Sequence, residues 1–217
     1  MAYFPIFTQI EGKRCFIIGG GKVAARKVHT LLQYGADVVV VAEKVCREIK
    51  EVLPEENVFE GVFRCIHENR CDSTFLEKEI SKAFLVIAAT SNREENHHIA
   101  ELCHDRNVLV NVADSEAESS FIFPSVVRRG NISIGINSGT GSPTVSKHIR
   151  KQIEKAVPDY YADIAVFMGE LREYVKANFK EESQRRYILK TAAAQAFSEE
   201  RVPNEKEIEE IIRQGQK

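Results

Sequence analysis

Apolar residues along this chain fall into two kinds of pattern. In the first half they gather into short, nearly continuous runs over residues 15–18, 36–41, 84–88 and 108–112. Runs of that length, rich in Val and Ile and bounded by Gly or polar residues, predict strands buried on both faces of a parallel sheet. Between the first two runs, Val23, Val28, Leu31 and Leu32 recur at helical spacing and predict a helix over residues 22–34, ended by Gly35. Softer patterns predict helices over 44–53, 73–80 and 95–106, and a strand region over 58–66. The apolar stretch 2–10, interrupted by Pro5, predicts an extended cover lying against the first strand. Strand, helix, strand in this order is a βαβ unit, so the first part of the chain predicts an α/β, Rossmann-like parallel sheet.

The pattern then changes. SSFIFPSVV, a turn at Arg129-Gly130-Asn131, and ISIGIN predict two strands joined as a hairpin, with Pro124 marking an edge or a bulge. Ser142 is placed to cap a helix opened by Pro143, along which Val145, Ile149, Ile153 and Ala156 form an apolar stripe. Beyond Asp159, amphipathic periodicity predicts helices over 160–178, 182–197 and 204–214, a helical C-terminal domain.

Candidate chemistry begins where the first apolar run meets Gly19-Gly20-Gly21. Gly19, Gly21 and Ala24 match the G-x-G-x-x-G/A spacing of a dinucleotide-binding turn. Gly19 would make the turn, Gly21 would let backbone approach a pyrophosphate, and Ala24 would let the helix pack closely on the strand. The helix N-terminus then offers free N–H groups and a positive dipole to phosphate. Glu43 follows the second strand, roughly twenty residues on, where a Rossmann acid accepts hydrogen bonds from the adenosine ribose. A carboxylate there favours NAD over NADP, Lys44 and Arg47 pull the other way, and the alternative is a surface glutamate opening a helix. The strand over 108–112 delivers Asn111, Ala113 and Asp114 to the carboxyl edge of the sheet, where ligands bind in this architecture. Asp114 suits a general base there, or else caps a turn. Thr90 and Asn96 are placed either to touch a cofactor or to satisfy a helix start.

Composition narrows the field. Thirty Lys+Arg against 32 Asp+Glu give a net charge of -2, and no global basic field points to nucleic acid. No apolar run approaches the roughly 20 residues of a membrane span, and the N-terminus lacks the pattern of a secretory signal, so a cytoplasmic location is expected. The five cysteines are scattered without a C-x-x-C pair. His97-His98 and His104 fit a solvated helix face better than a metal site, so no resident metal is expected.

YFPIF, GGGKVAARK, VIAAT, NVAD, SSFIFPSVVRRG and SGTGSP, in this order over residues 3–153, resemble the N-terminal family of siroheme synthases, the precorrin-2 dehydrogenases. The resemblance implies a Rossmann domain over 1–113, a dimerisation segment over 114–157 made of the strand pair plus a helix, and a helical domain over 158–217. It implies a homodimer that uses NAD to oxidise precorrin-2 to sirohydrochlorin, with Asp114 as the catalytic residue. It also implies cofactor contacts at Gly19, Gly20, Gly21, Lys22 and Val23, and places Ser138 at the substrate. Asn137 and Thr140 depart from the family's serine and glycine at those positions. Because precorrin-2 carries many carboxylates, Arg128, Arg129, Lys147 and Arg150 are candidates to pair with them. Some members also insert Fe2+, or in related pathways Co2+, so a bifunctional dehydrogenase and chelatase is an alternative. A nucleotide-sensing regulatory domain is another, since fold does not fix function.

Overall fold

A computed structural model of the chain describes residues 3–61, 73–139 and 143–216. The buried runs become strands β1 (Arg14–Ile18), β2 (Asp37–Ala42), β3 (Val58–Glu60), β4 (Leu85–Ala88) and β5 (Leu109–Val112), parallel in the order β3-β2-β1-β4-β5. Around them lie α1 (Lys22–Gln33), α2 (Arg47–Lys50), α3 (Ser73–Lys82) and α4 (Arg93–Asp105). Alternate side chains of each strand enter different cores. Cys15, Ile17, Val38, Val40 and Ile87 pack with Ala24, Val28 and Leu31 of α1. Phe16, Ile18, Val39, Val41 and Val86 pack with Ile80 of α3 and Ile99 and Cys103 of α4. Two covered faces explain why the strands read as continuous apolar runs.

Several elements differ from the sequence expectation, each for a local reason. The described part of the N-terminal run is not a cover: Phe4, Ile6 and Phe7 are 84%, 77% and 74% exposed, and Ile10 is the residue that packs on the core. As the central strand, β1 is already paired with β2 and β4 and has side chains buried on both faces. Val23 is exposed, because Ala24, Val28 and Leu31 supply the buried stripe. The helix expected over 44–53 shrinks to α2. The Val45 N–H donates to Glu60 and that of Cys46 to the Gly20 carbonyl, so this backbone is tied elsewhere. The strand region expected over 58–66 is present as β3, and its later part lies outside the described residues.

The chain divides into two compact units, one spanning Pro5–Phe123 and the other Pro124–Lys217 with the first residues of the chain. The second unit opens with the antiparallel pair β6 (Ser125–Arg129) and β7 (Ile132–Ile136). Their two-residue turn, Gly130-Asn131, has φ of 54° at Gly130, as a hairpin turn with glycine first requires. Helices α5 (Pro143–Ala156), α6 (Tyr160–Asn178), α7 (Glu182–Glu199) and α8 (Glu205–Gly215) follow. Leu171, Val175, Phe179, Ile188, Ala192 and Ile211 form the shared core of the last three. The Ser142 cap expected for α5 lies outside the described residues. Among the described residues, no helix is long and apolar enough to cross a membrane.

Candidate functional site

The glycine turn is built from two structural glycines and one open one. A Cβ on Gly19 would lie 2.2 Å from the Ala89 carbonyl oxygen, and one on Gly20 would lie 2.1 Å from that of Lys44. These two therefore let the turn close against the end of β4 and against the loop after β2. A Cβ on Gly21 would meet nothing within 4 Å. Gly21 is also the N-cap of α1 and brings no capping side chain to the helix's first N–H groups. That combination of a bare helix end and an uncrowded glycine fits a pyrophosphate. Lys22 and Val23 are exposed at this end, while Ala24 is fully buried against the sheet.

The loop after β2 flanks the turn. Glu43 is its first residue and is exposed. The carboxylate of Glu60 anchors the loop, accepting from the Val45 N–H at 2.9 Å and from Lys50 Nζ at 2.6 Å. Those two hydrogen bonds, the lysine's first, hold Glu60 below the usual carboxylate range. Arg47 is paired with Glu51 at 2.6 Å. Of the two cations weighed against Glu43, Arg47 thus already has a carboxylate partner.

On the other side of β1, the loop after β4 joins the end of β5 through one buried amide. Asn96, 1% exposed, accepts from the Thr90 N–H at 3.1 Å and donates from Nδ2 to the Thr90 carbonyl at 3.3 Å and to Asp114 Oδ1 at 3.0 Å. The Thr90 hydroxyl lies 2.9 Å from both Asn96 Oδ1 and the Asn92 carbonyl, acceptors for its single proton. Asn92 caps α4 by accepting from the Glu94 and Glu95 N–H groups. Asp114 itself is exposed, just past β5. Gly19, Thr90, Asn96 and Asp114 thereby form a continuous series at the carboxyl ends of β1, β4 and β5. The strand order reverses between β1 and β4, where such sheets bind ligands.

Asn111 points elsewhere. Its Oδ1 accepts from Lys27 Nζ at 2.7 Å and its Nδ2 donates to the Phe121 carbonyl at 3.1 Å. Lys27 also sits 4.2 Å from the centroid of the Phe123 ring. Burial, with a smaller contribution from Arg26, pulls the Lys27 ammonium down to about 8. The segment SSFIF, expected to open a strand, instead runs along β5 without joining the sheet. The hydroxyls of Ser119 and Ser120 accept from the Val112 and Val110 N–H groups at 2.9 and 2.7 Å, taking donors that a further strand would use. Lys27, Glu60 and this serine pair were not among the expected site residues. The available signal for Lys27 was its place three positions after Ala24, beside the buried stripe of α1.

The substrate candidates lie on the second unit. Ser138 Oγ is 2.5 Å from Ser146 Oγ, next to Lys147, which is exposed on α5. Arg128 Nε donates to the Gly130 carbonyl at 3.0 Å. Arg129 is occupied structurally: it donates to the Val157 and Glu154 carbonyls at the end of α5 and pairs with Asp159 at 2.9 Å. Arg150 pairs with Glu154 at 3.0 Å. Among the described residues, no group of three or more His, Cys, Asp or Glu could hold a metal ion.

Residues 6–125 match the family described as "Putative NAD(P)-binding". The siroheme synthase of Nitrosospira multiformis is 37% identical over 199 residues, which are 92% of this chain and 41% of that one. That of Pseudoalteromonas translucida is 36% identical over 186 residues, 86% of this chain and 37% of that one. The chain thus spans about two fifths of the length of the curated relatives it matches. The solved structure of SirC, precorrin-2 dehydrogenase, shares the fold, with a TM-score of 0.70 over 99% of both chains at 21% identity. The chain therefore belongs to this NAD(P)-binding family and is similar over most of its length to siroheme synthases.

Proposed function

We propose that this protein is an NAD-dependent precorrin-2 dehydrogenase, forming sirohydrochlorin, with Asp114 as its general base. The observation that carries the proposal is the series from Gly19 through Thr90 and Asn96 to Asp114, which links a dinucleotide turn to a carboxylate at the same sheet edge. Gly19, Gly20, Gly21 and the first turn of α1 would hold the pyrophosphate, and Glu43 the adenosine ribose. Glu43 opposes a 2′-phosphate, and the pairing of Arg47 with Glu51 supports NAD over NADP. Bound NAD+ would supply the hydride acceptor. Loss of hydride from the macrocycle must be matched by loss of a proton, which an Asp114 carboxylate oxygen accepts. Arg128, Lys147 and Ser138 would bind the substrate's carboxylates, since cations and hydroxyls recognise such groups by charge-assisted hydrogen bonds. A homodimer joined through residues 114–157, working in the cytoplasm, completes the proposal.

The test is anaerobic turnover of precorrin-2 with NAD+, followed by the absorbance of sirohydrochlorin and of NADH. Asp114→Asn should lower kcat by about 10²–10⁴-fold while NAD affinity stays within about twofold. Protein that is folded and binds NAD yet leaves precorrin-2 unchanged would overturn the proposal.

A further inference from the structure

We infer that Asn96 is the positioning residue of this site, acting on the reaction through Asp114. The inference rests on the proposed role of Asp114 as proton acceptor. The amide of Asn96 has only one orientation compatible with its neighbours. The Thr90 N–H can only donate and lies 3.1 Å from Oδ1, whereas the Thr90 carbonyl can only accept and lies 3.3 Å from Nδ2. Those two contacts decide which end of the amide is oxygen and which is nitrogen. One hydrogen of Nδ2 goes to Thr90, and the second is then directed at Asp114 Oδ1, 3.0 Å away.

The donor is well held. Asn96 is 1% exposed, so water does not compete for it, and its backbone N–H donates to the Asn92 carbonyl in the first turn of α4. The acceptor is the reverse. Asp114 is exposed just beyond the end of β5, and an exposed aspartate samples several rotamers unless something fixes it. A buried amide engaging Oδ1 selects one of them and leaves Oδ2 on the accessible side to take a proton. An amide suits this task because it donates at every working pH, so the carboxylate keeps its orientation as the medium changes. The same amide grips Thr90, whose loop abuts Gly19, and so sets Asp114 in register with the turn proposed to hold the cofactor. Displacements of about 1 Å at such a centre cost on the order of 10²-fold in rate, so the effect should appear in kcat.

The experiment is a double-mutant cycle on the full chain, with precorrin-2 and NAD+ as substrates. Asn96→Ala and Asn96→Asp are each made in the wild-type and Asp114→Asn backgrounds. Asn96→Asp keeps the size and the acceptor for Thr90 but presents a carboxylate to Asp114, so it carries the test should the alanine variant fail to fold. In the wild-type background each should lower kcat by about 10- to 100-fold, with NAD affinity unchanged within about threefold. In the Asp114→Asn background the further loss should be under about twofold, because the group through which Asn96 acts is gone. Equal losses in both backgrounds, unchanged kcat, or a loss matched by weakened NAD binding would overturn the inference while leaving the dehydrogenase proposal standing. A wild-type protein that does not oxidise precorrin-2 would overturn both.

Discussion

The ammonium of Lys27 sits between an amide oxygen at 2.7 Å and an aromatic ring at 4.2 Å, and its pKa lies at about 8 because burial disfavours the charge. The folded state then binds its proton less tightly than the unfolded chain does. The cost is present in full below pH 8 and is relieved as pH rises from 8 towards the ordinary lysine value of 10.5, so stability should climb through that window. Cys15 and Cys103 act oppositely. Burial pushes both thiols up to about 12, so their contribution is complete below pH 9 and is lost as pH rises from 9 to 12. Urea denaturation of wild type and Lys27→Met should therefore show the wild type gaining about 1 kcal/mol on the variant between pH 7 and 9. Parallel stabilities across that range would show that Lys27 ionises normally. The glycines give a second prediction at this scale. Gly20→Ala places a methyl against the Lys44 carbonyl and should abolish NAD binding by distorting the turn. Gly21→Ala meets nothing within 4 Å, so it should cost at most about 1 kcal/mol, as an alanine N-cap does, yet still weaken NAD binding at least tenfold. Equal thermal stability and equal NAD affinity in the Gly21 variant would remove that glycine from the cofactor site.

Elements were legible in proportion to how far their own residues decide them. The β-branched runs of β1, β2, β4 and β5 and the periodic helices α1 and α6–α8 fall within a few residues of their expected places. Where a distant group claims the backbone, pattern fails. The helix expected at residue 44 is shortened by Glu60 and Gly20, and the Ser119-Ser120 hydroxyls replace a strand along β5. The site divides in the same way. Its glycine turn and Asp114 follow from spacing along the chain, but the Asn96 amide between Thr90 and Asp114 exists only once α4 has packed beside β5. A local signal that holds is the start of α8, where Asn204 and Glu207 form a capping box and Arg201 pairs with Glu207 at 2.8 Å. The Arg201 hydrogen bonds, then that of the Asn204 N–H, hold the Glu207 carboxyl down at about 2. Its contribution is present above the ordinary value of 4.5 and fades as pH falls towards 2. Asn204→Ala should cost about 1 kcal/mol in chemical denaturation at neutral pH, and Glu207→Gln should flatten the stability curve between pH 4.5 and 2. An unaltered acid limb in the glutamine variant would assign that loss to other carboxylates.

For the molecule as a whole, the apolar stripe of α5 is the feature that one chain leaves unresolved. Val145, Ile149 and Ile153 share a face by their spacing, yet no described side chain of α5 is buried, and Val145 is 47% exposed. An amphipathic helix gains most of its stability by covering such a face, and a stable interface covers roughly 1,200–2,000 Å² in total. A second copy of the chain, packed by two-fold symmetry, would bring the same stripe from its own α5 or the exposed side chains beside it. We therefore expect light scattering to find a dimer at micromolar concentration. Ile149→Asp with Ile153→Asp should shift it to monomer, because a carboxylate buried at an apolar seam without a partner is strongly unfavourable. The substitutions lie outside the unit that carries the glycine turn, so NAD binding should persist in the monomer. A wild-type protein that is monomeric under the same conditions would exclude α5 as a seam between copies. A double variant that stays dimeric would move the seam to another surface.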